Sequence, residues 1–141
     1  MFTYYMPTQV FFGKGCIAES GQVLADLGKR ALLVTGRHSA KVNGSQDAFT
    51  GKLDELGISW YLFDDVENNP SIDTIRRAAA FAKEKGVDFV VGIGGGSPMD
   101  AAKAIALLCT DDLDDEQLFK GPYKKPLPSW PCRRQPERGA K

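Results

Sequence analysis

A single histidine, three widely separated cysteines and a formal charge of zero exclude several kinds of chemistry at the outset. Cys16, Cys109 and Cys132 form no Cys-x-x-Cys pair, so neither a disulfide framework nor a zinc site is expected, and buried or free thiols are the plain reading. His38 stands alone, and a metal role for it lacks partners. The balance of 18 basic against 18 acidic residues gives no hint of nucleic-acid binding. No apolar run approaches the ~20 residues of a membrane helix, and the N-terminus carries no secretory pattern. A single cytoplasmic domain is the expectation, since 141 residues supply one real core.

What is present is organised around residues 88–103, where a short apolar run breaks into glycines and then into helix-forming sequence. Phe89, Val90 and Val91 are apolar without alternation, which predicts a strand buried on both faces. Gly94, Gly95 and Gly96 follow, free to take positive φ and to let a ligand approach the backbone. Ser97 is a candidate N-cap and Pro98 suits the first helical position, so a helix is predicted from about Pro98 to Cys109. Ala101, Ala102, Ala104 and Ala106 leave it able to lie close to a sheet. Its free N–H groups and positive end point at the glycine turn, where a phosphate fits; a plain strand-to-helix connection is the alternative. The pattern is neither Gly-x-Gly-x-x-Gly nor a Walker loop, because no Lys-Ser/Thr follows the glycines. It resembles instead the signature Gly-Gly-Gly-Ser-Pro-Met-Asp-Ala-Ala-Lys of the iron-containing (group III) alcohol dehydrogenases, here Gly94 to Lys103. The likeness extends from about Tyr4 to Pro128.

The rest of the chain reads as strand and helix in repetition. Phe2 to Pro7 and Gln9 to Phe12 are β-rich and suggest an edge hairpin or extended pair, with Pro7 arguing against a central strand. A helix is predicted from Ile17 to Leu27, closed by Gly28. Arg30 to Gly36 is the next strand, and Gly36, Arg37, His38, Ser39, Ala40 and Lys41 form the loop at its carboxyl end, where doubly wound sheets bind ligands. This loop holds no carboxylate for a ribose 2′-hydroxyl; Arg37, His38, Ser39 and Lys41 suit a 2′-phosphate, or are simply solvated. His38 is equally an exposed loop residue. Ser45 to Leu56 presents Phe49, Leu53 and Leu56 on one helical face, and Ile58 to Phe63 makes a third strand. Asp64 and Asp65 are adjacent and point apart, a poor acid/base dyad. Asn69 lies in a polar loop before a helix capped by Ser71, carrying Ile72, Ile75, Ala79 and Ala82 inward and ending near Gly86; as a residue it is a turn former. The acidic stretch from Thr110 to Glu116 reads as a solvated connection. This order predicts a Rossmann-like, doubly wound, mostly parallel sheet with helices on both faces.

The resemblance implies more than the residues do alone. It implies that the glycine turn holds the pyrophosphate of NAD or NADP, through Gly94, Gly95, Gly96, Ser97 and Asp100, with Gly36, Arg37, His38, Ser39, Lys41 and Asn69 around it; the loop cations favour NADP. Members of that family transfer hydride between nicotinamide and an alcohol or aldehyde, with a divalent metal held by an Asp and several His residues in a second, helical domain. No such domain is legible here. Residues 1–128 are expected to form the dinucleotide-binding domain, with no catalytic or metal ligand of its own, and a homo-oligomer is expected because strand edges lose their neighbours. Ser129 to Lys141 is basic, aperiodic and rich in proline, which predicts a loosely attached tail outside the family pattern. Codons can be chosen for Pro128 to Lys141 that read Val-Val-Ala-Val-Pro-Thr-Thr-Ala-Gly-Thr-Gly-Ser-Glu in another frame, similar to the family's next strand and cofactor motif. A frame change is therefore the hypothesis for the tail, and incompatible codons in the gene would end it. The reading from the other class is a non-catalytic nucleotide-binding module or remnant.

Overall fold

The computed structural model describes residues 1–5 and 8–133, with Ser39 described by its backbone alone. In chain order, helix α1 (Cys16–Ser20) runs into a 3₁₀ turn (Gly21–Asp26), followed by strand β1 (Arg30–Gly36) and helices α2 (Ser39–Val42) and α3 (Ser45–Glu55). Strand β2 (Ser59–Val66), helix α4 (Ile72–Lys85), strand β3 (Phe89–Ile93), helix α5 (Gly96–Leu108), helix α6 (Asp115–Lys120) and strand β4 (Ser129–Cys132) complete it. The four strands form one sheet in the order β2-β1-β3-β4, and every pairing is parallel. The architecture is α/β and Rossmann-like, as the strand–helix repetition predicts.

The continuous apolar runs are explained by two cores, one on each face of the sheet. Leu32, Val34 and Val90 pack with Ala78 and Ala82 of α4 and with Ala102 and Ile105 of α5. Ala31, Leu33, Phe89 and Val91 alternate with them and pack on the opposite face with Phe49 and Leu53 of α3. Each large apolar side chain buried in this way contributes on the order of 1.5–3 kcal/mol before ordering costs. Helix α4 has the predicted ends: the Ser71 hydroxyl accepts from the Thr74 backbone N–H at 3.2 Å, and Gly86 closes the helix in the left-handed region at φ 62°. Helix α5 lies so close to β3 that a Cβ on Gly92 would stand 2.9 Å from the Ala102 Cβ and 3.0 Å from the Pro98 carbonyl oxygen.

Several expectations are corrected. The helix predicted from Ile17 to Leu27 ends at Ser20 and tightens into the 3₁₀ turn at Gly21, whose missing side chain makes room for Lys52 of α3. Among the described residues before Gly13 there is no strand. Phe2, Tyr5, Val10 and Phe12 are exposed, while Phe11 stacks flat on Trp130 with ring centroids 5.5 Å apart. Pro7 lies outside the described residues. The acidic stretch is partly helical: Asp114 and Gln117 cap α6 reciprocally, the Asp114 carboxylate accepting from the Gln117 N–H at 2.8 Å.

The tail expected from Ser129 onward is corrected over its first four residues, which form β4. Strand β3 would otherwise present a row of unpaired backbone groups on its outer side. The Val90 N–H donates to the Pro128 carbonyl and the Gly94 N–H to the Cys132 carbonyl, both at 3.0 Å. Pro131 sits opposite Gly92 on this edge strand, a position proline tolerates. Residues 134–141 lie outside the described residues. The cysteines are free and partly buried, and burial pushes the Cys132 thiol up to about 11.

Candidate functional site

All strands run the same way, so the carboxyl ends of β1 and β3 lie side by side, with Thr35 paired to Ile93. From β1 the chain leaves toward β2, and from β2 it crosses over to β3 on the other side. The sheet therefore reverses its winding between β1 and β3, which is where doubly wound folds bind ligands.

The glycine turn stands at this point. Gly94 alone of its three glycines takes a positive φ, 138°; Gly95 is extended and caps α5, and Gly96 is the first helical residue. A Cβ built on Gly95 or Gly96 meets no atom within 4 Å, so the turn is open on its outer side. No side chain caps α5, which leaves the N–H groups of its first turn without the usual partner. Ser97 is thus not the cap expected of it. Its hydroxyl instead accepts from the Asn69 N–H at 3.2 Å, tying the loop before α4 to the first turn of α5. Asn69 is at φ 54°, so it forms the turn and also sits against the glycine segment. Asp100, one turn further, pairs with Lys103 at 3.0 Å. Asn69, Asp100 and Lys103 rim an apolar groove of about 480 Å³ floored by Ile72, Ala104 and Leu107.

At the end of β1, Gly36 leads into the cationic loop. Arg37 donates from Nε and Nη2 to one Asp65 oxygen at 2.8 and 2.6 Å, Arg77 donates to the other at 3.3 Å, and Lys41 reaches Asp64 at 2.9 Å. These bonds hold the Asp65 carboxyl below its ordinary range, the Arg37 hydrogen bond first among the causes. The loop contains no carboxylate of its own, yet β2 brings two to it. Gly36 stands opposite Val66, so the residues just before Val66 end abreast of the loop. That neighbourhood could have been found from the sequence only by pairing the second strand with the first. The His38 side chain is exposed while its carbonyl accepts from the Val42 N–H at 3.1 Å; the Ser39 side chain lies outside the described residues.

Two further residues were not legible as part of the site. Thr35 is fully buried beside Ile93, and its hydroxyl has no hydrogen-bond partner among the described residues. Glu67 accepts from the Ser71 N–H and the Thr74 hydroxyl, each at 2.9 Å, and the first of these does most to lower its carboxyl to about 2. That carboxylate fixes the loop carrying Asn69.

The uncapped helix start and the open glycines fit a phosphate-bearing ligand at the switch point. A resident metal ion fits less well: among the described residues, no group of three or more His, Cys, Asp or Glu side chains is placed to hold one. No described helix is long and apolar enough to cross a membrane.

The family model for iron-containing alcohol dehydrogenase matches residues 7–131. This chain belongs to the iron-containing alcohol dehydrogenase family. It is 42% identical over 123 residues to NADH-dependent butanol dehydrogenase A of Clostridium acetobutylicum, covering 87% of this chain and 32% of that protein. It is 36% identical over 105 residues to an NADPH-dependent butanol dehydrogenase of Clostridium saccharobutylicum, covering 74% of this chain and 26% of the relative. The crystal structure of an iron-containing alcohol dehydrogenase of Thermotoga maritima superposes with a TM-score of 0.88 at 46% identity, over 94% of this chain and 38% of that one. The chain thus spans about a quarter to two fifths of the length of these relatives, of which one is named NADH-dependent and one NADPH-dependent. The match reaches Pro131, three residues into the segment expected to fall outside the family.

Proposed function

We propose that this chain is the cofactor-holding part of an NAD(P)-dependent alcohol dehydrogenase, binding the dinucleotide diphosphate across the glycine turn. The observation that carries this reading is the uncapped start of α5 behind open glycines at the switch point of the sheet. Gly95, Gly96 and Ser97 offer backbone N–H groups to the diphosphate, and the helix dipole adds its positive end. Gly36 and the loop from Arg37 to Lys41 flank the adenosine ribose, where Arg37 and Lys41 favour NADP through a 2′-phosphate. Asn69 and Asp100 border the cofactor from the groove side.

The nicotinamide supplies the hydride acceptor or donor for an alcohol or aldehyde when bound. This chain's own residues bind and orient the dinucleotide. On its own the chain holds cofactor and turns over weakly or not at all. That last point favours a second reading, a nucleotide-binding module without catalysis. We further propose a cytoplasmic, self-associating protein that binds neither nucleic acid nor membrane.

Titration of NADH and NADPH fluorescence against the purified chain tests the first reading, with saturable enhancement expected for both. No binding of either would refute it. Stoichiometric iron or zinc in the purified protein would favour the enzyme over the module, and metal-free protein that still binds cofactor would favour the module.

A further inference from the structure

We infer that Asp65, with Asp64 beside it, is a specificity-determining residue that holds the preference for a 2′-phosphate down. The inference rests on the dinucleotide reading above and deepens it. Both cations of the loop after β1 already have carboxylate partners, and both partners arrive from the end of β2. Asp65 takes the Nε–Nη2 edge of Arg37 on one oxygen and Arg77 on the other, so it is anchored from two sides. Lys41 is matched by Asp64 in the same way.

A dianionic phosphate entering this loop meets three cations and two fixed anions rather than a bare basic patch. Its attraction to Arg37 is offset by repulsion from a carboxylate within hydrogen-bonding distance of the same guanidinium. A ribose 2′-hydroxyl is neutral and faces no such repulsion. Arg37 and Asp65 are 68% and 40% exposed, so water screens both effects and the cofactor choice they set is shallow rather than absolute.

The test uses the full chain and the substitutions Asp65→Asn and Asp64→Asn/Asp65→Asn, titrated with NADPH, NADH and adenosine 2′,5′-bisphosphate. Removing the charge at Asp65 while keeping its shape should tighten NADPH and the bisphosphate about tenfold and leave NADH within about twofold. Adding Arg37→Ala to Asp65→Asn should abolish the gain. Because the expected result is stronger binding, a misfolded variant cannot imitate it, and Asp65→Ser serves if the asparagine variant does not fold. An unchanged NADPH-to-NADH ratio, or a gain that survives loss of Arg37, overturns the inference while leaving the dinucleotide reading intact. Failure of parent and variants alike to bind any of the three ligands overturns both.

Discussion

Two glycines three residues apart should fail in opposite ways. Gly95 is extended, at φ −81° and ψ −163°, a conformation open to any residue, and a Cβ there meets nothing within 4 Å. Gly95→Val should therefore stay within about 0.5 kcal/mol of the parent, a melting shift under about 2 °C at this chain length. Its branched side chain would nevertheless occupy the space a diphosphate needs to reach the first turn of α5. Losing two charge-assisted N–H contacts of about 1.5–3 kcal/mol each weakens NADH binding by a factor of at least about 100. Gly92 is the converse case. A methyl group there presses on Ala102 and on the Pro98 carbonyl, at 2.9 and 3.0 Å. Since Pro98 belongs to a packed helix and cannot swing aside, Gly92→Ala should cost about 1–3 kcal/mol and lower the melting temperature by about 3–10 °C. Thermal melts by circular dichroism and cofactor titrations on both variants read the two quantities separately. If Gly95→Val binds NADH like the parent, the turn is only a connection; if Gly92→Ala melts with the parent, the close helix approach is not set by that glycine.

Arg37→Ala combined with Lys41→Ala should weaken NADPH more than NADH, each phosphate contact being worth at most about 1.5–3 kcal/mol and less at exposed positions; equal losses in titration would sink the 2′-phosphate role. Glu67 sets a pH dependence whose sign follows from its low folded-state value. Its carboxyl falls from 4.5 to about 2 on folding, so between those values the unfolded chain binds more protons. Stability is present above pH 4.5 and is lost as pH falls toward 2, and Glu67→Gln should flatten that part of the denaturation profile; a parallel profile for the variant would disprove it. Light scattering at low micromolar concentration should detect species larger than a monomer, because Phe2, Tyr5, Val10 and Phe12 are exposed together near the N-terminus, whereas a monodisperse monomer would contradict self-association.

Three of the four strands were legible because they needed only local information. Arg30 to Gly36 and Phe89 to Val91 read as apolar runs without alternation, and a strand buried on both faces leaves that mark. The ends of α4 were equally plain, since Ser71 and Gly86 act within their own helix. What escaped depends on contacts distant in sequence. Ser97 has the chemistry of a cap, but its hydroxyl is engaged by Asn69, and nothing near Ser97 announces that. The carboxylates at the cationic loop belong to another strand, so the loop taken alone looked purely basic. The buried Thr35 hydroxyl looked like one more strand residue until the register placed it beside Ile93. Aromatic content near the N-terminus suggested a hairpin, yet β-propensity describes how side chains suit a sheet and supplies no partner strand.

The fourth strand shows how little a sheet edge asks of the segment that completes it. Its bonds with β3 run from main-chain N–H to main-chain carbonyl, groups that any sequence carries, and a proline is accommodated among only four residues. Trp130 and Cys132, two residues apart, add packing on one face, while Ser129 and Pro131 stay exposed. Ser129 to Cys132 should therefore tolerate wholesale rewriting that Phe89 to Val91 would not, and a saturation screen would show a permissive window beside an intolerant one. An edge strand held by main-chain bonds leaves its side chains free to vary, so the outer rim of such a fold is where sequence can change without loss of the sheet.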